Sequence, residues 1–323
     1  MVTEVTNIAP VIPSHSDDVL IVAASWEQRC LGILTKLASY RARKVVFIAY
    51  DNENPKREAN IREMMPILSG IGALKFLRAS HDNSLSNVRE VVRLIKQWCP
   101  SNQPRISWDT TSFTKKHLLQ MLNAFDIEGF AHTINLYHTE PIDFPTHDNQ
   151  PISHGISSVR AIETFTGTHL PSRDVILIVF LGFEGARALA LWQHLEPNLT
   201  YAVVPDPPYQ ESWRGRTEKQ NQFLLSCLPD SHILRSHSLE PESTQQLLHG
   251  VITAPRSNLQ KYNYLIAPLG TKAQTIGIFR FWRENRRIAS LMYASPVGYN
   301  YDQPSFPAGR MWLIDKMENW SKQ

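Results

Sequence analysis

The sequence predicts an α/β protein made of two tandem Rossmann-like domains, each a mainly parallel sheet with helices on both faces. Three observations predict it. Short apolar runs alternate with amphipathic segments along the chain, the runs are continuous rather than alternating in polarity, and the whole pattern occurs twice. Continuous apolar strands are buried on both faces, and strands alternating with helices form parallel sheets through right-handed crossovers.

The repeat can be followed residue by residue. "DDVLIVAASWEQRCLGIL" from Asp17 is answered by "DVILIVFLGFEGARALAL" from Asp174. Glu27 and Glu184 are 157 positions apart (184 − 27), as are Thr114 and Thr271, and Lys115 and Lys272 (272 − 115). "VVFIAYDNENPKREAN" corresponds to "YAVVPDPPYQESWRGRTEKQN" and "INLYHTEP" to "ASLMYASP"; "HGISSVRAI" corresponds more loosely to "AGRMWLIDK". Two copies make a duplicated domain rather than a solenoid. The expected domains are 1–168 and 169–323, related by a pseudo-two-fold axis, with a Pro-, His-, Ser- and Thr-rich connection over Pro141–Arg173.

In the first copy, strands are expected at Val19–Ala24, Val45–Ala49, Ala73–Leu77, Ile106–Trp108 and Ile134–Tyr137. Helices are expected at Glu27–Ala38, Arg57–Leu68, Ser86–Trp98 and Thr114–Phe125. In the third of these, Val88, Val91, Val92 and Ile95 recur at helical spacing on one face. The second copy repeats the pattern with strands at Val175–Leu181, Tyr201–Val204, Ile233–Arg235, Tyr264–Ala267 and Ile288–Tyr293.

Composition narrows the function classes. The chain has 323 residues, 42% of them hydrophobic and 20% charged, with a formal net charge of +3. Such mild basicity suits an anionic ligand and falls well short of a protein that coats long nucleic acid. The three cysteines lie far apart in no metal-binding spacing, so a reducing compartment, no metal and no cofactor are expected. No basic stretch followed by an apolar run opens the chain, and the longest apolar run, "VILIVFLGF", is half a membrane span. A cytoplasmic protein without membrane contact is expected.

Ligands of doubly wound sheets bind beyond the carboxyl ends of the strands, at the switch point. The residues expected there are Ser25, Trp26, Glu27 and Arg29 after the first strand, and Asp109, Thr111, Thr114 and Lys115 after the fourth. The second copy offers Gly182, Glu184 and Arg187, then Gly270, Thr271 and Lys272. A helix N-terminus presents unpaired N–H groups and partial positive charge to a phosphate, and lysine adds a compact cation. The same residues have a plainer use: Asp109, Thr110 and Ser112 can cap a helix, and Glu27 and Glu184 suit a first helical turn on dipole grounds alone. Capping does not, however, require Thr-Lys at one offset in both copies. Arg214 and Arg216 of "WRGR", with Lys56 and Arg57 in the corresponding loop, are expected to cover an anion as a lid. Phe279 and Trp282 are expected in the core. Neither copy carries the G-x-G-x-x-G of a dinucleotide-binding turn.

"WDTTSFTKKHL" resembles the signature of CARF domains, the CRISPR-associated Rossmann fold. In that family an Asp-x-Thr-Gly-Gly-Thr-Lys-like segment follows the fourth strand and opens a helix. Asp109, Thr111, Thr114 and Lys115 match it, with Ser112-Phe113 in place of Gly-Gly; the second copy keeps Gly270-Thr271-Lys272 and lacks the acid. "ASWEQR" and "LGFEGAR" resemble the polar loop the family places after its first strand. CARF domains pair as two-fold dimers and bind cyclic oligoadenylates, so the resemblance implies such a dimer fused into one polypeptide. The function it implies is a stand-alone sensor of a nucleotide-derived second messenger, between the two domains, in antiviral defence. A separate effector protein or a homodimer would carry the output. Two alternatives stay open: a metal-independent ring nuclease using Lys115 and Lys272 as catalytic residues with His138 beside them, and a partner-binding subunit whose ligand sites have decayed.

Overall fold

The computed structural model describes residues 2–10, 16–50, 54–80, 83–99, 103–130, 133–143, 152–253, 261–301 and 307–316. It divides into two units: Met1–Thr146 with Pro304–Gln323, and His147–Gln303. The first begins with β1 (Thr3–Glu4), β2 (Asp17–Ala24), two 3₁₀ turns (Gln28–Leu31 and Leu34–Lys36) and β3 (Ala42–Tyr50). It continues through α1 (Pro55–Ile71), β4 (Ala73–Ala79), α2 (Ser84–Trp98), β5 (Ile106–Asp109), α3 (Lys115–Ile127) and β6 (Ile134–Pro141). The second comprises β7 (Ser153–His154), β8 (Ser158–Ala161), β9 (Asp174–Phe180), α4 (Gly185–Leu195), β10 (Leu199–Pro205), α5 (Arg216–Gln220) and α6 (Gln222–Ser226). After these come β11 (Ile233–Ser236), α7 (Pro241–Leu248), β12 (Tyr262–Pro268), α8 (Lys272–Glu284), β13 (Ala289–Ser295) and β14 (Gly298–Tyr299). The last strand, β15 (Ala308–Lys316), belongs to the first unit.

The protein is α/β, with two mainly parallel sheets flanked by helices. The first sheet has the order β1-β15-β6-β5-β2-β3-β4 and the second β11-β10-β9-β12-β13-β8. Five parallel strands form the centre of each. Numbered along the chain, both centres read 3-2-1-4-5, the Rossmann order, with the switch point between the first and fourth strands. The continuous apolar runs explain this arrangement. All eight residues of β2 are buried, and Leu20, Val22 and Ala24 join Val45, Phe47, Met64 and Leu68 in one core cluster. Leu177, Val179, Ala202 and Ala267 do the same in the second unit. Phe279 and Trp282 lie in that unit's interior, as their helical spacing predicts.

The expected boundary at 168/169 needs correction, because the sixth strand of each sheet is exchanged. β15, at the end of the second copy, runs antiparallel to β6, with Trp312 opposite His138 and Leu313 opposite Tyr137. β8, at the end of the first copy, runs antiparallel to β13, with Ser158 opposite Ser295 and Val159 opposite Ala294. His138 and Ser295 occupy corresponding places in the two copies, so the same pairing is made twice with the partners swapped. Periodicity marks a strand without naming its neighbour, and the cut at 168 leaves β8 and β15 each on the wrong side. Part of the expected connection, 144–151, lies outside the described residues.

A second correction concerns Glu27–Ala38, which forms two 3₁₀ turns instead of one α-helix. Gly32 sits so close to the neighbouring strands that an added Cβ would stand 2.8 Å from both Ala308 and Thr139. Tertiary packing sets the backbone here.

At the amino end of the first sheet, Tyr40 and Ser107 donate to the buried Asp17 carboxylate, each at 2.6 Å. Beside it Asp18 accepts from the Arg105 side chain at 3.1 and 3.3 Å and from its backbone N–H at 3.0 Å. Burial pushes the Asp18 pKa up, but Arg105 and Arg43 outweigh it and hold the carboxyl below its ordinary 3.8. A carboxylate depressed in the folded state stabilises above its unfolded pKa, and the benefit is lost as pH falls through the folded one. Asp18→Asn is therefore expected to lower the urea midpoint at pH 7 and to converge on the wild type below about pH 3. A deficit of the same size at both pH values would contradict this.

Candidate functional site

The carboxyl edges of the two sheets hold the residues singled out above, and the connection after the fourth strand is built alike in both units. Thr114 is the N-cap of α3, its hydroxyl accepting from the His117 N–H at 3.2 Å, and Lys115 is the first helical residue. Thr271 is the N-cap of α8, accepting from the Gln274 N–H at 3.1 Å, while the Gln274 side chain accepts from the Thr271 N–H at 2.9 Å. Lys272 opens that helix, and both lysines are half-buried. Capping thus engages both threonine hydroxyls. The Thr271 hydroxyl also donates to the Ser238 carbonyl at 2.7 Å.

In the first unit the preceding turn is closed by its own side chains. Asp109 is buried and accepts from the Thr111 N–H at 3.0 Å and from the Thr111 hydroxyl. Thr111, fully buried, accepts in turn from the Thr139 N–H at 2.8 Å. Asp109 and Thr111 hold the turn against β6. The Tyr50 hydroxyl at the end of β3 accepts from the Thr114 N–H at 3.2 Å and lies 3.1 Å from His117 Nδ1. The Arg57 guanidinium, wholly buried, donates to the Tyr50 carbonyl at 3.1 Å. Arg57 is expected in a loop covering an anion and at the start of the Arg57–Leu68 helix; it lies in the first turn of α1 with its side chain inside the fold, turned to the Tyr50 carbonyl. Tyr50 and His117 carry no sequence signal, because their roles arise from elements 67 residues apart.

After the first strand, Ser25 is buried, and its carbonyl accepts from the Asn60 side chain at 2.8 Å. Trp26 and Arg29 are half-buried, and Arg29 is ion-paired with Glu27. Cys30 beside them is buried, which pushes its thiol up to about 12 and leaves it unreactive at neutral pH. The corresponding pair in the second unit is Glu184 and Arg187, at 2.8 Å. Arg187 is 5% exposed and donates to the Ala294 carbonyl at 3.1 and 2.7 Å, with its guanidinium 5.0 Å over the Tyr293 ring. Burial works against its charge, yet Tyr293 and Glu184 hold its pKa above the ordinary value. This arginine braces α4 against β13. Ser153 of β7 donates to the other oxygen of Glu184.

Gly182 and Gly270 bring the two carboxyl-edge connections of the second unit together. A Cβ on Gly182 would stand 2.6 Å from the Leu269 carbonyl oxygen and 3.9 Å from Gly270 Cα. Both glycines permit close approach at the switch point. His138 lies within β6, not beyond it, and is 2% exposed opposite Trp312. The "WRGR" loop folds back on its own connection and on the connection after β9: Arg214 pairs with Asp206 at 2.9 Å and with Glu211, and the Arg216 guanidinium lies 4.6 Å over the Phe183 ring. Among the described residues, no group of His, Cys, Asp and Glu is placed to hold a metal ion, and no helix is long and apolar enough to cross a membrane.

No protein-family model and no curated protein matches the sequence. Among solved structures, Can2 from Sulfobacillus thermosulfidooxidans in complex with cyclic tetra-adenylate aligns at a TM-score of 0.27 and 12% identity, over 38% of this chain and 32% of that one. A universal stress protein from Pseudomonas aeruginosa aligns at a TM-score of 0.26 and 10% identity, over 87% of this chain and 94% of that one. Neither superposition carries the functional argument. The class stated by the strand order itself is a doubly wound α/β protein with two Rossmann-like units.

Proposed function

We propose that the protein is a sensor of a nucleotide-derived anionic signal in antiviral defence, gripping phosphate groups where α3 and α8 begin. One observation carries this reading: each unit sets a threonine cap and a lysine at the first turn of the helix that follows its fourth strand, beside the switch point. Caps alone account for the threonines. A half-buried lysine at both helix starts adds a cation where the helix dipole already favours an anion.

Cyclic tetra-adenylate, the ligand of Can2, is the first probe. Calorimetry is expected to detect binding that weakens as salt rises. A charge-assisted contact is worth about 1.5–3 kcal/mol, so Lys115→Ala or Lys272→Ala alone should weaken binding about tenfold to a hundredfold, and both together should abolish it. An unchanged affinity in the double variant would remove the proposal.

A further inference from the structure

The carboxyl edge of the second sheet carries an aromatic group assembled from two connections. Phe183 directly follows Gly182 beyond β9 and is half-buried. The connection after β10 folds over it: Trp213, 6% exposed, meets the Phe183 ring edge-on at 5.7 Å, and Tyr209 meets Trp213 edge-on at 6.5 Å. Arg216, the first residue of α5, lays its guanidinium over the Phe183 ring face at 4.6 Å. This connection is tied down at both ends. Arg214 and Arg235 hold Asp206 at 2.9 and 3.3 Å, and the Asn221 side chain donates to the Gly182 carbonyl at 2.8 Å. Between β3 and α1 the first unit has only 51–54, against 206–215 here, so the two edges are not equivalent.

A half-buried phenyl ring with a planar cation on its face is a place where a nucleobase can stack. Its surface is apolar and flat, and the guanidinium is weakly hydrated and stacks on π-systems. The contact of Gly182 with Leu269 and Gly270 places Phe183 beside the connection that opens α8 with Thr271 and Lys272. A ring platform and a helix start on neighbouring connections suit the two ends of a nucleotide. We propose that Phe183 and Arg216 form a purine-base subsite. The base takes the place on the Phe183 ring that the Arg216 guanidinium occupies at 4.6 Å, the guanidinium moving aside to stack on the base's outer face; Trp213 buttresses the ring from the side, and the nucleotide's phosphate reaches the start of α8. This rests on the reading of the protein as a nucleotide sensor and assigns that ligand's base to the second unit.

The test uses the full chain with two probes, cyclic tetra-adenylate and base-free inorganic triphosphate, followed by calorimetry and Trp fluorescence. Wild type is expected to bind the adenylate at least tenfold more tightly than triphosphate. Phe183→Leu and Arg216→Gln should each remove about tenfold of that preference, the order of a base–aromatic stack, and leave triphosphate affinity unchanged. Phe183→Tyr, which keeps the ring, should retain the preference, and it decides the matter if the leucine variant fails to fold. Equal wild-type affinity for the two probes, or full adenylate affinity in Phe183→Leu, overturns the subsite while leaving the phosphate grip standing. A wild type that binds neither probe overturns both.

Discussion

Removing the chain from residue 304 onward is expected to unfold the first unit. The deletion takes away β15, which pairs with both β6 and β1 and contributes Met311 and Ile314 to the interior. It also strips Glu140, 1% exposed, of its two partners: Arg310 Nε at 2.7 Å and the Trp312 indole N–H at 3.1 Å. A buried carboxylate left without partners costs about 3–5 kcal/mol, and a lost core side chain of methionine size about 2–5 kcal/mol. Together these rival the 5–15 kcal/mol by which a domain is typically stable. Hydrogen exchange should therefore show loss of protection throughout Ile134–Pro141 and Ile106–Asp109. Met311→Asp in the full chain should act in the same direction by burying a lone charge. Native protection of those two strands in the deletion variant would show that β15 is dispensable.

The second large effect is expected at Asp109. Asp109→Ala removes the carboxylate that accepts from the Thr111 N–H and hydroxyl, both inside the protein, and loosens the Thr111 hydroxyl that receives the Thr139 N–H. Each buried donor left unmade costs about 1–3 kcal/mol, so the variant should lose about 2–5 kcal/mol, a fall of roughly 10 °C in Tm. Asp109→Asn retains an acceptor oxygen and should lose much less. Thermal unfolding with and without cyclic tetra-adenylate separates this framework role from ligand contact. A wild-type Tm in the alanine variant would mean that the turn does not depend on this carboxylate.

Each of the ten central strands has its expected position within or against an observed strand. Strands β2, β3, β9, β10 and β12 were legible as continuous apolar runs, whereas β4 (ALKFLRA) and β11 (ILRS) are half-exposed edge strands marked mainly by their place in the alternation. The sixth strands were legible only as a loose likeness between "HGISSVRAI" and "AGRMWLIDK". Their residues are partly exposed and interrupted by Gly309 and Arg310, so no hydrophobic pattern singles them out, and nothing local says that each would pair with the other copy's fifth strand. The Thr-Lys helix starts could be read from the sequence because caps are local. The contacts of Arg57 with Tyr50 and of Trp213 with Phe183 could not be read in this way, since they join different elements. Arg29 and Arg187, expected to face a ligand, each lie against a glutamate two or three residues away, a pairing that sequence proximity alone could have suggested.

Pro141 stands opposite Ala308, and the Ile142 N–H donates to the Pro307 carbonyl at 3.1 Å. Likewise Ser153 stands opposite Tyr299. Topologically, then, the second unit is an insert spliced into a β-hairpin whose two arms are β6 and β15. Its entry and exit are already neighbours, so a tight turn joining 142 to 307 would close that hairpin and release a smaller protein carrying every strand of the first sheet. The excised piece, 152–301, would likewise keep its own complete sheet. A gene cut at its midpoint would yield neither.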